Sequence, residues 1–377
     1  MPIIKAHEEV GADAFDRKIV TDYVKFIEKR VGQGEITQKH YRNLLRGVQR
    51  ITELHDHGEL LWTAPKKASK FKLNEFFESL VQGFLSDSEL NPKSRSDATW
   101  ISRKYFAWLM ILGHEDLEDV GATEIQKFMI SCSNEMKSSS IHNVKLYMKK
   151  LYNFLATNGH AKDNYETLLS FRVMRESKMY PATPPEEVAA ILEVINRHTT
   201  CGKRDYAMIL LGVVCGLRAV DIAKLRLKNI DWQKGEISIV QSKTGKPLIL
   251  PLTTDVGEAI KDYILNGRQK VDSDFVFLRV RPPYRNLSNG VAIEDMYDSY
   301  RLKANLPRDA HDGKVFHSLR RTFGKNSVMA GIPVETVAQV VGDSKIDSLK
   351  KYIALDSHHL KECALGLVGI ERWCGDE

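Results

Sequence analysis

The amino-acid sequence predicts a mainly α, multidomain protein whose third segment is mixed α+β with a small antiparallel sheet. Three observations carry that prediction. Apolar residues recur at helical spacing through roughly the first 170 positions, with no strand-like alternation. Period-two alternation is confined to "GEISIV" and "KPLILPL", which a short turn separates. And 377 residues exceed one comfortable hydrophobic core, so two or three domains are expected.

The first region, residues 1–65, reads as a helical hairpin. "AFDRKIVTDYVKFIEKR" and "TQKHYRNLLRGVQRITEL" flank a glycine-containing turn. In the second helix Tyr41, Leu44, Leu45, Val48, Ile51 and Leu54 form the apolar stripe, and Arg42, Arg46 and Arg50 fall elsewhere on the wheel. "TAPKKASKFK" then reads as a basic linker.

The second region, residues 73–172, is again helical. Its clearest helix is "SSIHNVKLYMKKLYNFLATNG", with Ser139 or Ser140 as N-cap and Gly159 past the C-terminal end. His142, Lys145 and Lys149 share a face away from its apolar stripe, and Lys93, Arg95, Arg103 and Lys104 cluster near another helix. A solvated surface explains such cations; so does a face laid along a phosphate backbone. "RVMRESKMYPATPP" follows as a Pro-punctuated interdomain linker.

The third region, residues 183–377, opens with "TPPEEVAAILEVI". Thr183 is expected as N-cap, Pro184 as the first helical residue and Glu186 as the partner in a capping box. After further helices come the two strands, joined by "QSKTG", with "DFVFL" as an expected third strand.

Composition narrows the function classes. The chain carries 43% hydrophobic and 28% charged residues and a net charge of +6, which favours a polyanionic partner without requiring one. Its five cysteines, Cys132, Cys201, Cys215, Cys363 and Cys374, form no CxxC pair, so neither a disulfide framework nor a zinc ribbon is expected. No signal core or long apolar run occurs, so the expected setting is the cytoplasm and not a membrane. "DSHHLKEC" groups His358, His359 and Cys363, but adjacent histidines diverge on a helix, and no metal or other cofactor is expected.

Four places in the third region hold groups suited to phosphate chemistry. In "VVCGLRAVDIAKL", Gly216 interrupts a helix, Arg218 opens the next and Asp221 lies one turn on, placed to orient that guanidinium. Lys243 and Lys246 flank the hairpin tip. In "KVFHSLRRTFG", His317 and Arg320 share a helix face. Tyr352 lies in "VGDSKIDSLKKYIAL". Each has an ordinary structural explanation when taken alone: a surface ion pair, a solvated turn, a core histidine, a packed aromatic.

Taken in order, G-L-R, S-K-T-G in a hairpin, H-x-L-R-R-T-F and a tyrosine about thirty residues later resemble the catalytic domain of the tyrosine recombinases, the phage-integrase family. The motifs span roughly residues 180 to 360. The family's helical core-binding domain would correspond to 73–172 by architecture, making a clamp, while arm-site DNA binding, an extension of that clamp and a protein-contact module all fit the hairpin of residues 1–65. The resemblance implies that Arg218 and Arg320 grip the scissile phosphate. It implies Lys243 as general acid toward the leaving 5′-oxygen, His317 as the histidine of the H-x-x-R box and Tyr352 as nucleophile, with Asp221 supporting Arg218. It further implies strand exchange through a 3′-phosphotyrosyl link without ATP. The implied partners are double-stranded DNA with a core site of inverted-repeat type, a homotetramer on DNA from free monomers, and room for accessory DNA-bending proteins. The implied setting is a nucleoid-associated prokaryotic or viral one. A C-terminal stripe of Leu360, Ala364, Leu367 and Val368 would serve as an intersubunit helix, with packing onto its own domain the alternative.

One position departs from the pattern. Nine residues before the tyrosine the family has histidine or tryptophan, and here stands Asp343. An ionised aspartate beside a phosphate repels it. Three explanations compete: Asp343 points away and orients another group, the site is weakened, or Lys345 reaches in, and Lys345 is the expected substitute donor. The departure keeps a second reading open, a DNA-binding relative with impaired chemistry acting in architecture or regulation. A third, a type IB topoisomerase or telomere resolvase, shares the catalytic set.

Overall fold

The computed structural model describes residues 2–63, 70–173, 180–287, 289–307, 309 and 312–342. The chain divides into two compact units, Met1–Ser177 and Lys178–Glu377. Each is described by itself.

The first unit is helical throughout the described residues. It contains α1 (Pro2–Glu9), α2 (Arg17–Gly32), α3 (Gln38–His57), α4 (Glu75–Asp87), α5 (Pro92–Ile111), α6 (Ala122–Glu135) and α7 (Ser138–Thr157). The expected hairpin is α2 and α3, capped by Asp16 and Thr37, whose side chains accept from Lys18 N and His40 N. Helix α1 was not anticipated, and it packs on both. The α3 stripe buries Val48, whereas Leu54 at its end is exposed. Glu53, outside the expected stripe, is buried instead, where it accepts from the backbone of Trp62 and Thr63 and pairs with Arg50.

Helices α4–α7 enclose a second core around Phe77, Phe84, Phe106, Phe128, Met148 and Leu151. Phe77 and Phe106 stack with centroids 4.8 Å apart. Burying each such ring stabilises by roughly 1.5–3 kcal/mol. Helix α7 begins at Ser138 with Lys137 as N-cap, two or three residues earlier than the expected Ser139 or Ser140 cap.

The second unit is mixed. Its elements are α8 (Pro185–Glu193), α9 (Thr200–Val213), α10 (Ala219–Ala223), β1 (Ile230–Asp231), β2 (Glu236–Val240), β3 (Pro247–Pro251), α11 (Thr254–Asn266), α12 (Val291–Lys303), α13 (His317–Met329) and α14 (Val334–Val340). The strands form one antiparallel sheet in the order β1-β2-β3. Helix α9 is the hub, packed against α11, α12 and α13 with Ala207, Ile209 and Leu211 fully buried.

Two expectations are corrected. The third strand is β1, not "DFVFL": Phe275 makes only an isolated bridge to Arg226, and Val276 and Phe277 are spent on the core. Thr183 is not the α8 N-cap. Pro184 holds that place, in extended conformation, without a side-chain cap bond. Thr183 is buried, and its hydroxyl bonds that of Ser318 on α13 at 2.6 Å. A hydroxyl offered a buried partner elsewhere is lost to the helix end.

Candidate active site

The site begins where α9 ends. Gly216 takes φ +62°, and a Cβ there would lie 2.6 Å from the Phe323 ring of α13. That left-handed residue lets the chain reverse tightly, burying Leu217 and leaving Arg218 extended as N-cap of α10. The Arg218 side chain is only 10% exposed. Its Nη2 donates to the carbonyl of Val341 at 3.0 Å, and its Nη1 faces Gln241 Oε1 at 3.4 Å.

Asp221 is the support anticipated for that arginine, yet its firmer contact is elsewhere. Its Oδ2 stands 4.0 Å from Arg218 Nη1, while its Oδ1 accepts from the backbone N–H of Ser242 at 2.8 Å. One buried carboxylate thus fixes Arg218 and the first residue of the hairpin turn together.

The turn itself is closed by Gln241 N–H to Lys246 O and Gly245 N–H to Gln241 O, each at 2.9 Å. Lys243 and Lys246 are exposed at its tip. Gln241, by contrast, is 2% exposed and ties three motifs. Its Oε1 accepts from Thr244 Oγ1 at 2.8 Å and faces Arg218, and its Nε2 donates to Val340 O at 3.3 Å. Gly342 closes over it: φ is +58°, and a Cβ would fall 1.9 Å from Gln241 Oε1. The chain end that leads toward Tyr352 is therefore pinned to Arg218 and to the hairpin at once.

Helix α13 supplies the remaining groups. His317, its first residue, is exposed, and Arg320 one turn on is 2% exposed. Arg320 Nη1 donates in a short bond to the carbonyl of Gly216, two residues before Arg218. The adjacent Arg321 is a strut: its Nε donates to Pro181 O at 2.9 Å, its Nη2 to Gly313 O, and its guanidinium lies over Tyr180. Thr322 donates to Thr183 O at 2.8 Å. Buried Arg301 of α12 donates to the carbonyls of Lys314 and Pro307, holding the approach to His317.

Gln241, Arg321 and Arg301 were missed in the sequence. Their partners lie up to 140 residues away or are backbone carbonyls, which no local pattern reveals. The one available signal was position, since Gln241 immediately precedes S-K-T-G and Arg321 immediately follows Arg320.

The described residues thus bring Arg218, Asp221 and the base of the Lys243 turn into one hydrogen-bonded network, and bond Arg320 to Gly216, two residues before Arg218. Forked guanidiniums on buried stems are chemically suited to counter the charge of phosphodiester oxygens. Tyr352, Asp343, Lys345, the His358–His359–Cys363 group and the C-terminal stripe lie outside the described residues. Among the described residues no group of three or more His, Cys, Asp or Glu stands ready to hold a metal, and no helix is long and apolar enough to cross a membrane.

The cations singled out in the first unit have local partners. Lys93 pairs with Asp97 at 3.0 Å, Lys104 with Glu135 at 2.7 Å, Lys149 with Glu166 at 2.5 Å and Arg103 with Glu78. Arg95 donates to Leu85 O and Lys145 to Phe171 O. His142 is half-buried.

Comparison with known proteins agrees with this architecture. The model of the phage integrase family matches residues 182–359. The Sinorhizobium fredii protein that carries the integrase/recombinase name y4gC is 32% identical over 191 residues, covering 49% of this chain and 95% of its own. The tyrosine recombinase XerC of Anoxybacillus flavithermus is 26% identical over 255 residues, covering 66% of this chain and 82% of its own. Among solved structures, XerH site-specific recombinase bound to a palindromic difH substrate, in a post-cleavage complex, superposes with a TM-score of 0.60 at 14% identity over 90% of this chain and 93% of that one. With the mostly helical fold and small antiparallel sheet, these matches show that the chain belongs to the phage integrase family, the tyrosine recombinases.

Proposed function

We propose that the chain cleaves and rejoins DNA at a specific site through Tyr352, exchanging strands between two duplexes. The observation that carries this reading is the bond from Arg218 to Val341 O. It ties the phosphate-seat arginine to the segment that continues to the tyrosine eleven positions later.

On this reading Arg218 and Arg320 hold the two non-bridging oxygens of the scissile phosphate as negative charge gathers there. Tyr352 Oη attacks phosphorus and loses its proton to His317, which an ordinary tyrosine pKa near 10 makes necessary. The P–O5′ bond breaks, and Lys243, free to swing on the exposed turn, protonates the leaving 5′-oxygen. The products are a 3′-phosphotyrosyl link and a free 5′-hydroxyl. Attack by a partner strand's 5′-hydroxyl reverses each transfer, so the bond energy is retained and no nucleotide cofactor is consumed. Lys345 replaces the donor that Asp343 does not provide. The XerH neighbour's palindromic substrate supports a core site of two inverted half-sites here, each taking one protomer, so that two sites assemble four.

The test uses a duplex recovered by binding selection from random-sequence DNA, nicked near the scissile position and incubated with protein in EDTA. A covalent adduct mapped to Tyr352, absent with Tyr352→Phe, is expected. No adduct on a confirmed binding site refutes cleavage and leaves the DNA-binding relative. Relaxation of supercoiled DNA lacking the site favours a topoisomerase.

A further inference from the structure

The mechanism makes no use of the segment "RVRPPYRN", Arg279 to Asn286, between the core strand-like residues and α12. Three arginines stand within seven residues, and no acidic residue occurs between Asp274 and Glu294. The segment is a closed loop. Leu278 bridges Asn286, and Arg279 N–H donates to Arg285 O at 2.8 Å. Arg279, Arg281 and Arg285 are all exposed.

Two further facts separate these arginines from an ordinary solvated surface. The side chains of Arg279 and Arg281 have no hydrogen-bond or ion-pair partner among the described residues, unlike the cations of the first unit. Arg279 and Arg281, two residues apart on a short loop with no carboxylate in its own segment, repel each other unless an anion lies against them. The loop also returns to the active site. Gly290, five residues past Arg285, packs so closely on α10 that a Cβ there would meet Ala219 C and Val220 N at 2.8 Å. Ala219 is the residue after Arg218. Five residues span at most about 17 Å, and successive phosphates along a strand advance about 3.4 Å of helix axis. A phosphate seated on Arg218 therefore puts its neighbours, within about five nucleotides, in reach of the loop.

We infer that the Arg279–Arg285 loop is a backbone-binding site for the DNA strand flanking the scissile phosphate, supplying two to three phosphate contacts. It rests on the proposed seating of DNA at Arg218. It reads no bases: guanidiniums on an exposed loop grip phosphate regardless of sequence, so its contribution is to affinity and to register.

Binding and chemistry are separated by placing all variants in the Tyr352→Phe protein and measuring affinity for the selected core-site duplex by anisotropy from 50 to 300 mM KCl. Arg279→Ala/Arg281→Ala/Arg285→Ala is expected to make the slope of log K against log salt shallower by about 2 to 3, near 0.9 per lost contact. The double variant Arg279→Ala/Arg281→Ala is expected to change it by about 2. A control removing charge from exposed positions elsewhere, Lys261→Ala/Lys270→Ala, is expected to change it by less than about 1. An unchanged slope in the loop variants, or an equal change in the control, overturns the inference. Melting temperatures identify any variant that misfolds, and the double variant then decides. Because cleavage is not read, absence of a Tyr352 adduct in the wild-type protein refutes the proposed reaction while leaving this result standing.

Discussion

Two sets of cations, one in each unit, are held in opposite ways. In the helical unit, Lys93, Arg103, Lys104 and Lys149 each face a carboxylate, so position is gained by cancelling charge. In the mixed unit, the site arginine Arg320 and its neighbour Arg301 donate to backbone carbonyls, and Arg218 donates to a carbonyl and an amide oxygen, with Asp221 at a looser 4.0 Å. A carbonyl dipole fixes a guanidinium without neutralising it. Rigid placement of a fork that keeps its positive charge is what a developing phosphorane dianion requires, and it is worth most in a buried site where solvent screens little.

Breaking the carbonyl-held network is expected to give the largest effect. Arg320→Lys keeps the charge but loses the fork and the bond to Gly216, and single-turnover adduct formation on the nicked duplex should fall about 10²–10³-fold. A loss below about threefold would mean that charge alone suffices and that carbonyl anchoring is incidental. Next is the pin between Arg218 and the chain leading to Tyr352. Gly342→Ala places a methyl in Gln241 and a side chain at positive φ, which costs about 1–2 kcal/mol from backbone alone. Adduct formation is expected to slow about tenfold or more, and Gln241→Ala in the same protein should restore part of it by vacating the space. No recovery would locate the defect in the backbone and not in the Gln241 contact.

The carboxylate-held cations give smaller effects. Glu135→Gln and Glu78→Gln release charge on Lys104 and Arg103, and the salt dependence of DNA binding should steepen by up to about 0.9 for each. The cost to stability should stay under about 1 kcal/mol, since these pairs are partly exposed. An unchanged slope would make them internal struts and move the DNA-contacting face away from them. Smallest is a contrast between the two buried cysteines. Burial pushes the Cys132 thiol to about 11 and the Cys215 thiol to about 12. Both folded values are raised, so each thiol contributes stability while it stays protonated, and that contribution is lost as pH rises from about 9 through those values. Melting temperature should therefore fall between pH 9 and 11 less steeply in Cys215→Ala than in wild type.

Much of this was legible because it is local. Helical period, the alternating strands and i,i+3 spacing placed the Lys243 hairpin, Arg218 beside Asp221 and His317 beside Arg320 without any tertiary information. What stayed illegible depends on pairing over long separations. Glu78 reaches Arg103 across 25 residues and Glu135 reaches Lys104 across 31, turning an apparent basic face into ion pairs. Thr183 has good N-cap chemistry, but Ser318, 135 residues away, claims its hydroxyl. "DFVFL" has strand composition, yet its apolar residues serve the core of the second unit without a neighbouring strand to pair with. Gln241 is the clearest case: nothing in its neighbourhood distinguishes a turn glutamine from one that joins Arg218, the hairpin and Gly342.

On the proposed mechanism Arg218 and Arg320 act by countering charge on the phosphate oxygens. The direct measurement compares adduct formation by wild type and Arg218→Ala on two nicked duplexes, one natural and one with a neutral methylphosphonate at the scissile position. If the guanidinium counters an oxygen charge, the Arg218→Ala deficit should shrink at least tenfold on the neutral linkage. An equal deficit on both substrates would mean that Arg218 counters no oxygen charge and serves only as a structural bond to Val341.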